Sequence, residues 1–236
     1  MRSYAAPGEG PASPGALLDR YYRRLLDDLG PQGWWPARTR LEVILGAILV
    51  QNTAWENARQ AIARLRRRGL LTLDRLRVVT GAEIEESIRP AGFFRQKART
   101  ITGFIDWLGR THQGSLTRLF ARPAAELRLE LLKLRGFGPE TVDAILLYAG
   151  RRPFFVADAY TRRVIVRHAM VPETADYATA QQFLHRHLRA DHRLFNEFHA
   201  LLVEVGKRYC RSRAADCEAC PLKEFLPGGR AVEAAA

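Results

Sequence analysis

Apolar residues recur at spacings of three and four through most of the chain. The pattern runs over 16–29, 41–50, 55–67 and 94–108, returns over 126–134, 141–148 and 160–170, and fills 178–207 in two pieces. That period is the signature of helices that bury one face. Only 153–156 reads like a strand, and it reads equally as a buried connector. An all-α fold is therefore predicted, with no internal repeat. Residues 1–15, rich in Ala, Pro and Gly, and residues 227–236, ending GGRAVEAAA, look disordered because neither carries enough apolar surface to offset ordering.

Composition narrows the class. The 236 residues are 47% hydrophobic, enough for one large or two small domains with a real core. No apolar run of about 18 residues exists and the N-terminus lacks an apolar signal core, so neither a membrane span nor export is predicted and a cytoplasmic location is expected. Lys and Arg total 37 against 25 acids, a formal +12. Arg dominates, which suits bidentate phosphate contacts, so a polyanionic partner is expected.

Three stretches carry candidate chemistry. In LKLRGFGPETVDAILLYAG, Gly136 and Gly138 flank Phe137, and Pro139 and Thr141 open the next helix. This is a helix-hairpin-helix, and its bare backbone beside a helix N-terminus suits a phosphate; an ordinary glycine-capped turn is the plainer alternative. Asp158 then opens an amphipathic helix, where an aspartate is most simply an N-cap. Near the C-terminus, CRSRAADCEACPLKEFL holds the chain's three cysteines, Cys210, Cys217 and Cys220. Six residues separate the first pair and two the second.

The hairpin followed by such an aspartate resembles the helix-hairpin-helix DNA glycosylases of the endonuclease III superfamily, over roughly residues 15–226. LEVILGAILVQNTAWENA and RPAGFFRQKA strengthen the likeness. Within the superfamily the sequence is most similar to the 3-methyladenine DNA glycosylase III branch, through Trp34-Trp35-Pro36, Gln51-Asn52-Thr53 with Trp55, the Gly136 to Glu140 hairpin and Asp158. The resemblance implies two lobes: a six-helix barrel over 41–158 with the hairpin at about 129–149, and a lobe of N- and C-terminal helices over 16–40 and 159–209. A cysteine loop follows over 210–226. It also implies a monomer acting on double-stranded DNA that carries a damaged base.

Roles follow from the same resemblance. A base inside a duplex must be flipped out to be reached. Gln51 and Asn52 would fill the gap left behind, and Gly136, Phe137, Gly138 and Thr141 would bind DNA. Trp34, Pro36 and Trp55 would sandwich the base, with Trp35 behind. A cationic alkylpurine would gain about 2 kcal/mol over those rings. Asp158 would stabilise the cationic sugar or activate water. Glu140 stands where bifunctional members carry an amine nucleophile, so a monofunctional enzyme lining its pocket with Glu140 is expected. Lys207 matches a pocket position, or is a solvated lysine beside Arg208. The implied [4Fe–4S] cluster has three of its cysteines, but the fourth position is Leu226. A free iron corner, Asp216 or Glu224 would complete it; loss of the cluster, as in the 3-methyladenine branch, and zinc are the other outcomes.

Overall fold

A computed structural model of the chain describes residues 13–231. Twelve α-helices occur among them. In chain order they are α1 (Pro14–Leu29), α2 (Arg40–Leu49), α3 (Trp55–Arg67), α4 (Leu73–Val78), α5 (Gly81–Ile88) and α6 (Phe94–His112). Then come α7 (Leu116–Ala121), α8 (Ala124–Leu132), α9 (Pro139–Ala144), α10 (Ala159–Arg167), α11 (Tyr177–His187) and α12 (His192–Arg208). The described residues form no strand, so the predicted all-α class is observed. Residues 153–156 are an extended connector with Phe155 and Val156 buried. No described helix is long and apolar enough to cross a membrane.

Caps explain several boundaries. Ser13 Oγ accepts from Ala16 N at 3.3 Å and Pro14 takes the first helical position, so α1 begins inside the stretch expected to be disordered. Pro227–Gly229, in the other stretch expected to be disordered, form a short 3-10 turn, and residues 1–12 and 232–236 lie outside the described residues. Three short helices, α4, α5 and α7, were invisible to the apolar period. Each is started by a hydroxyl: Thr72, Thr80 and Ser115 accept from Arg75 N, Glu83 N and Arg118 N. Thr80 and Glu83 complete a reciprocal capping box. Between α11 and α12 the chain breaks at Leu188, and Asp191 Oδ1 accepts from Arg193 N and Leu194 N.

The chain divides into two compact units. Among the described residues, one contains 13–32, Ala157–Ala190 and 197–231; the other is Gly33–Val156 with Asp191–Asn196. Both expected boundaries move. Trp34 and Trp35 belong with the second unit, because Trp35 packs on Trp55, Tyr148 and Gly46 there. Asp158 belongs with the first, because it caps α10. The second unit is built on α2, nearly all of it buried from Leu41 to Leu49. The first is centred on Leu18, Tyr21 and Leu25 of α1 and Phe198, Leu201 and Leu202 of α12.

Candidate active site and DNA interface

In the second unit, Trp34, Trp35 and Trp55 form one aromatic cluster. Ring centroids lie 5.7 Å apart for Trp34–Trp35, 5.1 Å for Trp34–Trp55 and 5.0 Å for Trp35–Trp55. Tyr148, which the sequence pattern did not single out, joins at 5.1 Å from Trp35. Gly46 makes room for this packing, since a Cβ there would meet Trp35 at 3.0 Å. The segment is then pinned by Glu42, buried at the start of α2, which accepts from Arg38 N at 3.0 Å and pairs with Arg66.

The expected sandwich is closed in this structure. A planar base between two rings needs two successive van der Waals contacts, roughly 7 Å in all, and Trp34 and Trp55 already touch. What stands open is a cleft of about 410 Å³, walled by Trp35, Pro36 and Trp55 with Arg38, Arg59 and Arg66. A flat ligand would meet the Trp faces only by parting that pair or from the cleft side.

The hairpin explains its glycines differently from each other. Gly136 has φ +85°, and a Cβ on it would stand 2.4 Å from Thr100 Oγ1. Only glycine fits. Gly138 has nothing within 4 Å of a notional Cβ and is exposed. Phe137 is corrected: expected to contact DNA, it is 5% exposed and stacks on Phe104 at 5.8 Å. Burying that ring anchors the hairpin to α6, a contribution of about 2 kcal/mol.

Gln51 and Asn52 part company. Gln51 Nε2 donates to Gly136 O at 2.9 Å and Thr141 Oγ1 at 2.8 Å, tying the α2–α3 turn to the hairpin. Asn52, exposed and at φ 51°, is the residue of this turn that projects outward. Glu140 is exposed in the first turn of α9. Lys97, which the sequence pattern also passed over, is buried; Nζ donates to Leu49 O and Ala91 O at 2.9 and 2.8 Å, and burial lowers its pKa to about 8. Its amine is committed to those carbonyls, so Lys97 closes helix ends.

In the first unit, Asp158 caps α10 through Oδ1, which accepts from Thr161 N at 2.8 Å. Its second oxygen, Oδ2, lies 3.5 Å from His199 Nε2, and both side chains are largely buried. That separation is an ion-pair contact, too long for a good hydrogen bond. Burial pushes the Asp158 carboxyl up, but the charge of His199 and the hydrogen-bonding groups of His199 and Thr161 outweigh it and hold it below the usual range. An ionised carboxylate with one oxygen on the helix cap and the other beside a buried imidazole is the result. No local signal marked His199, since 41 positions separate it from Asp158. Lys207 is exposed and pairs with Glu204 at 3.0 Å.

The cysteines lie in the same unit, around one small pocket that Cys210, Cys217, Cys220, His168 and Leu226 line. Arg163 and Arg167 of α10 fasten the loop: Arg163 donates to Cys210 O at 2.5 Å and Arg167 to Cys210 Sγ at 3.3 Å. Burial raises the Cys220 thiol to about 11 and shifts Cys217 the same way, while it lowers His168 to about 4. Among the described residues no three His, Cys, Asp or Glu side chains converge to hold a single ion. Glu224, one of the expected completing ligands, is 55% exposed and 3.7 Å from Arg24 instead.

Helices of this order, with a hairpin and an aspartate-capped helix, define the class. Residues 45–189 match the HhH-GPD superfamily base excision DNA repair proteins, and the chain belongs to that family. It is 42% identical over 213 residues to the "Putative DNA repair glycosylase MJ1434" of Methanocaldococcus jannaschii, covering 89% of this chain and 95% of that one. A trapped endonuclease III–DNA covalent intermediate shares the fold, with TM-score 0.75, 22% identity and coverage of 90% and 93% of the two chains. The Helicobacter pylori 3-methyladenine DNA glycosylase (MagIII) bound to 1,N6-ethenoadenine matches with TM-score 0.69 and 25% identity, over 82% and 97%.

Proposed function

We propose that this glycosylase is monofunctional and excises alkylated purines such as 3-methyladenine from double-stranded DNA. The aromatic cluster of Trp34, Trp35 and Trp55 carries this reading. An N3- or N7-alkylated purine is a cation, and it is attracted to indole faces more strongly than a normal base. The H. pylori structure, named as a 3-methyladenine glycosylase, supports the same substrate class. A cationic base leaves readily, so no strong acid is needed. Asp158 Oδ2 opposes the positive charge developing on the sugar and orients the attacking water, while Oδ1 stays on the helix cap. Base and sugar separate as water adds its oxygen to the anomeric carbon.

Glu140 supports the monofunctional assignment, because a carboxylate cannot form a Schiff base. Asn52 fills the gap left by the flipped base, and the hairpin backbone at Gly136 and Gly138 meets phosphate. Gln51, Phe137 and Thr141 hold those two loops in register. Cys210, Cys217 and Cys220 are the residues that would hold an iron–sulfur cluster, which would brace the loop. The enzyme acts as a monomer in the cytoplasm.

The cysteine spacing favours a second reading, an endonuclease III-like enzyme for oxidised pyrimidines. Single-lesion duplexes carrying 3-methyladenine, 7-methylguanine or thymine glycol separate the two. Release of the methylated purines, leaving abasic strands that break only after alkali and give little borohydride-trapped complex, is expected. Release of thymine glycol alone, or efficient trapping, overturns the assignment.

A further inference from the structure

The cleft beside the tryptophans carries a charge that base release does not use. Its volume of about 410 Å³ falls within the roughly 300–1,000 Å³ range of small-molecule sites. One wall is α3, where Ala58, Arg59, Ile62, Ala63 and Arg66 follow Trp55 at helical spacing and share one face. Ala58 and Ala63 are short, which leaves room over that face. The rest of the lining comes from 35–38 and the first half of α2.

Three guanidiniums, those of Arg38, Arg59 and Arg66, line the cleft against a single carboxylate, Glu42. That carboxylate is already committed: it is buried, accepts from Arg38 N at 3.0 Å and pairs with Arg66. Two guanidiniums are left for a ligand. The Arg38 side chain is exposed and has no hydrogen bond or ion pair among the described residues. Arg59 pairs with Glu56 at 2.7 Å, but both side chains are more than half exposed, so the pair is weak and an incoming anion can replace it. A cationic alkylpurine would be repelled here, whereas the planar forks of two arginines match a phosphate.

The apolar half of the cleft suits a flat ring. Trp35 and Trp55 stand at 89° to each other, so a planar ring lying on one meets the other edge to face, a favoured aromatic geometry. An isolated phosphate would leave the indoles unused, and a free base would leave the guanidiniums unused. A nucleotide engages both.

We propose that this cleft binds a nucleotide, with the base against Trp35 and Trp55 and the 5′-phosphate held by Arg38 and Arg59. A free nucleoside monophosphate and an unstacked nucleotide of a DNA strand present the same chemistry to it. The site is separate in charge from the pocket for the cationic base, so the enzyme holds a second nucleotide besides the one it cleaves.

The full chain is titrated calorimetrically with deoxyadenosine 5′-monophosphate, deoxyadenosine and inorganic phosphate. The monophosphate should bind at least about tenfold more tightly than either of the other two. Arg38→Gln and Arg59→Gln should each weaken it about tenfold, the scale of a lost charge-assisted hydrogen bond, and leave deoxyadenosine binding unchanged. Ala63→Phe, which fills the cleft from α3, should block all binding there, with melting temperature as the control for folding. No binding at millimolar concentration, no preference for the monophosphate over deoxyadenosine, or binding that neither arginine variant alters overturns the proposal. A 5′-phosphorylated single-stranded trinucleotide distinguishes the sources: displacement of the monophosphate identifies a DNA strand as the occupant, and its failure to displace identifies a free nucleotide. None of these readouts depends on base release, so the cleft and the substrate assignment fail separately.

Discussion

Two helices of the first unit open with nearly the same word. α10 begins Asp158-Ala-Tyr-Thr161 and α11 begins Asp176-Tyr-Ala-Thr179. Each aspartate Oδ1 accepts from the threonine amide three residues on, at 2.8 Å in both. Each carboxyl is held below the usual range, but for different reasons. At Asp176, exposed, the hydrogen-bonding backbone and side chain of Thr179 are the main cause. At Asp158 burial opposes ionisation and the His199 charge overcomes it. The local motif supplies a cap in both places. What distinguishes a candidate catalytic group is the second oxygen: Oδ2 of Asp158 is enclosed beside a buried imidazole, where charge interactions are strong, whereas that of Asp176 is in water, where they are weak.

The sharpest test of this contrast replaces each aspartate by asparagine. Asn caps about as well as Asp, so both variants should fold with little change in melting temperature. Single-turnover base release should fall by at least about 100-fold in Asp158→Asn, the scale of one lost electrostatic contact in a transition state, and stay within about twofold in Asp176→Asn. Near-wild-type release by Asp158→Asn would remove the catalytic assignment.

A change in the aromatic cluster should act on selectivity and leave both caps alone. Leu at Trp34 or Trp55 keeps apolar area but loses the ring face, so discrimination for 3-methyladenine over adenine should shrink about tenfold, the equivalent of 1–2 kcal/mol. Abasic-duplex binding, governed by phosphate contacts, should hardly move. Loss of activity in step with loss of thermal stability would speak for core packing alone.

His199→Gln should have a smaller effect, several-fold on the base-release rate with little on the duplex binding constant. The charge of His199 lowers the Asp158 pKa, so its removal raises that pKa. The acid side of the rate profile should therefore move to higher pH. An unmoved profile would show that His199 only fills space.

The smallest effect concerns acid stability. Both aspartates have folded pKa values below their unfolded value of about 3.9. Each therefore adds stability that is present above about pH 4 and is lost as pH falls through the folded value. Either Asp→Asn variant should lose less stability than wild type between pH 6 and pH 3 in urea titrations. Equal losses would place the pKa shifts elsewhere.

Much of the architecture was legible because its causes are local. The 3.6-residue period marked the long helices, and the TGAE capping box at Thr80–Glu83 could have marked α5. The WWP, hairpin and cysteine motifs pointed to the superfamily. Roles that rest on distant partners were not legible. Phe137 looks like an exposed hairpin tip in sequence and is a core residue because Phe104 stacks on it. Gln51 reads as a probe for DNA, yet it bonds to Gly136, 85 positions away.

By itself, then, the sequence determined where the long helices lie and which residues can cap a helix start, since caps and apolar periods act within about four residues. Only the tertiary structure decided that Asp158 differs from Asp176, that Trp34 and Trp55 close on each other, and that Phe137 is buried. Burial and charge pairing depend on which distant side chains exclude water from a group, and that is settled only when the chain has folded back on itself.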